Sequence, residues 1–165
     1  ECDVFNYWPV DPYGLSKNVI TRRALSDFER MWVLRLFGCF NHDEEPARFI
    51  RASIENLKRG DSIQVHQNRI MDFFYLDDVF TVIDHILKKG GPRNINLGYN
   101  HKYDLLNIAN MIHKHTQRFE SNITLKELGE GSDYFGNASV LYQLPIAPKL
   151  IGLEEGIRRT VAKLL

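Results

Sequence analysis

Tyr13 and Lys17 stand four residues apart in the run Pro12-Tyr13-Gly14-Leu15-Ser16-Lys17. Residues at that spacing share one face of a helix. A phenol is a poor acid or base at neutral pH because its reference pKa is about 10. A neighbouring ammonium favours the phenolate and brings such a group toward a usable range. The pair is therefore a candidate proton-transfer device. Spacing alone leaves a second reading open, because a packed ring and a solvated lysine give the same pattern on an amphipathic helix.

Further segments follow in a fixed order. They are Val33-Leu34-Arg35-Leu36-Phe37-Gly38-Cys39-Phe40-Asn41, the block from Arg69 to Val79 that contains Asp72-Phe73-Phe74-Tyr75-Leu76-Asp77-Asp78, Asn94-Ile95-Asn96-Leu97-Gly98, and Leu153 to Thr160. Together with Pro12 to Lys17, these segments resemble the extended short-chain dehydrogenase/reductase family, the nucleotide-sugar epimerases and dehydratases. The resemblance spans essentially the whole chain.

The resemblance implies roles residue by residue. Tyr13 would move the proton on the sugar C4 oxygen while hydride passes to or from a nicotinamide, and Lys17 would lower its pKa and bind the nicotinamide ribose. Backbone groups near Leu36 and Phe37 would meet the carboxamide of the cofactor, NAD or NADP. The substrate would be a nucleotide-diphosphate sugar. Where the family often has Arg-x-Phe-Asn-x-x-Gly-Pro, this chain places Gly38 at the Asn position and Asn41 at the Gly position. Asn41 would then supply a substrate amide from a shifted place, or serve as a polar turn residue before His42-Asp43-Glu44-Glu45. The arginine that usually precedes Asp-Phe and grips the diphosphate is here Met71. Arg69 falls on the same strand face by the period of two, so it would reach the same anion or stand as an edge-strand surface charge.

Family members open with a strand, a Gly-x-x-Gly-x-x-Gly turn and a helix whose N-terminus holds the pyrophosphate. No such run occurs among the eleven glycines, and Gly129-Glu130-Gly131 reads as a turn. The family's catalytic Ser or Thr would also lie upstream of residue 1. The expectation is the C-terminal portion of a longer enzyme, inactive alone. A natural half that serves as a non-catalytic sugar-nucleotide-binding or interaction module is the alternative.

Composition fits globular material, with 44% hydrophobic and 12% aromatic residues. Twenty-one basic residues balance 21 acidic ones without a dense tract, which argues against nucleic acid or anionic membrane as partner. No apolar run is long enough to span a bilayer, so a cytoplasmic protein is expected. Cys2 and Cys39 are too far apart for a metal motif and are expected as free thiols. His113 and His115, two apart, diverge on a helix; no metal site and no catalytic histidine are assigned. Asp77 and Asp78 are expected to cap a helix, and Glu154 and Glu155 to lie in a first helical turn.

The elements that must position these residues alternate. Helices are predicted over 15–28, 46–58, 77–88, 104–115, 138–144 and 153–164. A strand is predicted over 31–37, apolar enough to be covered on both faces, with shorter strands over 62–65, 69–74, 94–97 and 123–126. The predicted turn His66-Gln67-Asn68 separates the strands at 62–65 and 69–74. The expected fold class is α/β: the C-terminal part of a doubly wound, Rossmann-like NAD(P)-binding fold plus a small α/β substrate-binding domain, without the N-terminal glycine-rich βαβ half. Residues 1–42 and about 70–98 would belong to the sheet and its helices; about 43–69 and 99–165 would form most of the substrate region. An open sheet edge leads to an expected homo-oligomer.

Overall fold

The computed structural model describes residues 4–117 and 122–165, so Cys2 lies outside the described residues. The chain runs α1 (Pro12–Asp27), β1 (Val33–Leu36), β2 (Cys39–Phe40), α2 (Phe49–Arg59), β3 (Ile63–Asn68), β4 (Phe74–Tyr75) and α3 (Leu76–Lys89). It continues through β5 (Asn94–Leu97), α4 (Leu105–Thr116), β6 (Ile123–Glu130), α5 (Ser139–Tyr142) and α6 (Leu153–Leu164). Among the described residues, strands pair in parallel as β1 with β5, β2 with β4, and β3 with β6. Parallel partners need a crossover between them, and every pair is separated by at least one helix. The chain is an α/β fold, as expected.

The core follows from helical periodicity. Ile50, Ile54 and Leu57 of α2, Ile108 and Ile112 of α4, and Ile157 of α6 recur at spacings of three, four or seven and are fully buried together with Ile63 and Val65 of β3. Each such side chain contributes roughly 1.5–3 kcal/mol relative to an exposed one. Val82 and Ile86 of α3 and Ile95 and Leu97 of β5 belong to the same cluster.

Helix α1 is held differently. It buries only Asn18, Thr21 and Ala24, while Tyr13, Val19 and Ile20 are exposed. Polar ties fix it instead: Asn18 Nδ2 donates to the carbonyls of Val4 and Tyr7, and the Arg93 guanidinium donates to those of Ala24 and Phe28. It begins three residues earlier than predicted because Asp11 Oδ1 accepts from the Gly14 amide at 2.7 Å and Pro12 fits the first helical position. A Cβ on Gly14 would come within 2.6 Å of the Asp11 carboxylate and 2.9 Å of Pro9 Cβ, so a side chain there would crowd this cap.

Several expectations fail for local reasons. β1 is shorter than predicted and only half-buried, with Leu36 43% exposed, because β5 is its one strand neighbour among the described residues. The strands around His66-Gln67-Asn68 do not form a hairpin. β3 runs straight through those residues and pairs with β6, sixty residues on in register, while the stretch 69–73 bridges to Asp104 and Tyr134. Gly129 and Glu130 end β6 rather than forming a free turn; the register shift after Gln67 places Gly129 at φ +92°, which a side chain rarely adopts. α2 starts at Phe49, since residues 46–48 form a turn closed by the Arg48 amide on Glu45 O.

Candidate active site

Tyr13 and Lys17 occupy successive turns of α1, and Lys17 Nζ lies 5.3 Å from the centroid of the Tyr13 ring. The ring itself is 72% exposed, so it is not the packed core residue of the alternative reading. Lys17 lines a cleft of about 360 Å³ whose other walls include Gly14, Phe37, Asn96, Phe135 and Asn137. Phe37 follows the C-terminal end of β1, and Asn96 sits in the last turn of pleat of β5. The cleft therefore lies at the carboxyl ends of two parallel strands, where open α/β sheets place ligands.

Two polar chains hold the far wall, residues 135–137. Arg35 Nε donates to Asn96 Oδ1 at 2.6 Å, and Asn96 Nδ2 donates to the Asn137 carbonyl at 2.8 Å. From the other side, Asp72 Oδ2 accepts from the Gly136 amide at 2.9 Å, and the Tyr134 carbonyl accepts from the Asp72 amide at 3.0 Å. Lys102 Nζ donates to both Asp72 oxygens. The Phe37 ring covers Gly136, where a Cβ would come within 2.1 Å of it, and meets Tyr134 edge-on at 5.6 Å.

Of the residues assigned from sequence, Lys17 and Phe37 line the cleft, Tyr13 meets Lys17 from outside its lining, and Leu36 is exposed at the adjoining strand end. Asn41 and Arg69 do not line this cleft. The Asn41 side chain accepts from the Asp43 amide at 3.1 Å, the polar-turn arrangement. Arg69 is exposed; its carbonyl accepts from the Leu105 amide and its side chain passes Gly131. Asp78 is fully buried and does not cap its own helix. It accepts from Tyr99 Oη at 2.5 Å and from the amides of Ile151 and Gly152, tying α3 to the entry of α6.

The site partners missed from sequence are Arg35, Asn96, Asp72 and Lys102. Asp72 carried a signal, since a lone carboxylate directly before Phe73 and Phe74 implies a buried acid that needs a cation. Lys102 carried none, being 30 residues away. In the turn before α2, burial raises the Glu44 carboxyl to about 7 against bonds and charges from Arg51 and Arg48 that lower it. Burial, then the Glu44 charge, raises the Cys39 thiol.

A phenol and an ammonium on one helix face, beside a cleft at strand carboxyl ends, can exchange a proton with a bound hydroxyl or carbonyl. The model of the NAD dependent epimerase/dehydratase family matches residues 3–98, more than half of the chain. No curated protein matches the sequence. Among solved structures, a dTDP-glucose 4,6-dehydratase from Bacillus anthracis in complex with NAD superimposes with TM-score 0.74 at 20% identity, covering 93% of this chain and 52% of that one. UDP-glucuronic acid 4-epimerase from Bacillus cereus, in complex with UDP-glucuronic acid and NAD, gives 0.70 at 20% identity, with 94% and 53% covered. RMD from Pseudomonas aeruginosa complexed with NADPH gives 0.71 at 16% identity, with 94% and 57% covered. The chain spans about half the length of these structures, and at such identities the likeness is one of fold.

Proposed function

Because the chain belongs to the NAD dependent epimerase/dehydratase family, we propose that it carries the catalytic helix and most of the substrate side of an NAD(P)-dependent nucleotide-sugar epimerase, dehydratase or 4-keto reductase. The observation that carries this reading is the placement of Lys17 over the Tyr13 ring beside a cleft at the carboxyl ends of β1 and β5.

The residues present fit one end of a dinucleotide. An ammonium faces the cleft, and the exposed end of β1 at Leu36 and Phe37 offers backbone groups for a carboxamide. The other end finds no Gly-x-x-Gly-x-x-Gly cradle in the sequence, so the pyrophosphate would be held by a separate dinucleotide-binding half. When bound, NAD or NADP accepts and returns hydride. Tyr13 takes or gives the proton on the sugar oxygen, and Lys17 binds the ribose hydroxyls. Outside the Lys17 cleft, the exposed Arg69 after β3 would meet the substrate diphosphate, and the Asn41 amide nitrogen, whose oxygen holds the turn, would meet the substrate after β2.

Residues 43–69 and 99–165 form most of the substrate region, and 1–42 with about 70–98 the sheet side. The half-exposed β1 and the apolar residues displayed on α1 favour a homo-oligomer in the assembled protein. No described helix is long and apolar enough to cross a membrane, and Cys39 is a free thiol, which fits the reducing cytoplasm.

The test is turnover of a panel of UDP-, dTDP- and GDP-sugars by this chain and by a polypeptide that joins it to a dinucleotide-binding half. The reading predicts turnover only for the joined form. Turnover by this chain alone overturns the fragment reading, and none from the joined form supports the non-catalytic module.

A further inference from the structure

A second cleft, of about 510 Å³, lies between the loop after β5, the end of α4 and the start of α6, and shares no lining residue with the Lys17 cleft. Half of its lining residues carry aromatic rings: Tyr99, His101, Tyr103, His115 and Tyr142. The His101 and Tyr103 rings are 4.4 Å apart and tilted by 59°. Tyr99 is fixed from behind, its ring on Phe74 at 4.7 Å and its hydroxyl on Asp78.

Charge decides what such a cleft accepts. No lysine or arginine lines it; its charged lining groups are the carboxylates Glu154 and Glu155. Both are held below the usual carboxylate range, Glu154 by its bond to Lys114 and Glu155 by its bonds to Arg158 and Arg159. Glu155 uses both oxygens on those arginines, whereas the contacts of Glu154 with Lys114 and His115 both fall on Oε1. Two amides just before α6, those of Ile151 and Gly152, are already taken by Asp78. With two carboxylates and no lysine or arginine in its lining, the cleft disfavours a phosphate.

Aromatic faces attract cations through the ring quadrupole, most strongly where several rings surround a weakly hydrated ammonium. We propose that this cleft binds a substituted ammonium, with the rings of Tyr99, Tyr103 and Tyr142 around the alkyl groups and Glu154 Oε2 opposing the charge. The site is independent of the redox reading, and its test does not require turnover.

Choline is titrated against the purified chain, following the tyrosine ring resonances, with 3,3-dimethylbutan-1-ol as an uncharged ligand of the same shape. The proposal predicts saturable binding of choline at least about tenfold tighter than the alcohol, and a loss of about threefold to tenfold in Glu154→Gln. Tyr142→Leu, at a partly exposed position, should weaken choline by a similar factor while leaving the remaining spectrum folded. Equal affinity for the two probes, absence of saturable choline binding, or displacement of the same resonances by inorganic phosphate would each overturn it.

Discussion

Lys102 Nζ donates to both carboxylate oxygens of Asp72, at 2.8 Å each, and so joins the loop after β5 to the segment before β4 across 30 residues of chain. Asp72 is 5% exposed and its Oδ2 also accepts from the Gly136 amide. The pair thus braces residues 135–137, the wall of the cleft opposite Lys17.

Removing one member should harm more than replacing both. Lys102→Met leaves a buried carboxylate with only amide donors and should cost about 2–3 kcal/mol, whereas Lys102→Met combined with Asp72→Leu should recover part of that loss. Urea unfolding of the two variants checks this. A neutral Lys102→Met would mean that the pair does not brace the wall.

Asp78 should be the more sensitive tie. It accepts from Tyr99 Oη, Ile151 N and Gly152 N, and the Tyr99 hydroxyl in turn accepts from the Tyr75 amide at 3.2 Å. Burial, reinforced by the Asp78 bond, raises the Tyr99 phenol far above its ordinary range, so it stays a donor. Tyr99→Phe should cost about 1–3 kcal/mol because it orphans the Tyr75 amide. Asp78→Ala, which strands three donors, should cost more. Thermal unfolding of both separates the two steps.

The sequence made the helices and their apolar faces legible because α2, α4 and α6 repeat isoleucine and leucine at helical spacing. The shared helix face of Tyr13 and Lys17 and the Asp104 cap were legible too, each resting on contacts within four residues. What escaped was non-local. The partner of β3 lies beyond α3, β5 and α4, so the short polar run at His66-Gln67-Asn68 imitated a turn. Asp78 looked like a cap because the positions that use it, Ile151 and Gly152, are more than 70 residues away.

Glu44 gives the chain a pH dependence with a definite sign. Its carboxyl is raised from 4.5 to about 7 by burial, so the folded chain holds a proton that the unfolded chain has released between those values. Stability from this group is present below about 4.5 and falls as pH rises through about 7. With the shift discounted for partial exposure, Glu44→Gln should gain about 1–2 kcal/mol relative to the parent between pH 5 and pH 8. Urea midpoints at the two pH values measure it.

Gly156 tests packing against propensity. Alanine would favour helix α6 by up to about 1 kcal/mol, yet its Cβ would come within 2.8 Å of Tyr75 Cγ and 3.1 Å of Phe40 Cζ. Overpacking typically costs about 1–3 kcal/mol, so Gly156→Ala should be net destabilising by about 1 kcal/mol. A rise in the thermal midpoint would show that the two rings can move aside.

The central claim is that Tyr13 is the acid/base of a nucleotide-sugar reaction. Its most direct measurement is turnover by the chain joined to a dinucleotide-binding half, with and without Tyr13→Phe, on the nucleotide-diphosphate sugar that the unsubstituted form accepts. Tyr13 is exposed, so the substitution should leave folding intact. The account predicts a fall in kcat of about 100-fold to 10,000-fold with sugar-nucleotide affinity nearly unchanged. A Tyr13→Phe form that keeps its kcat would contradict it.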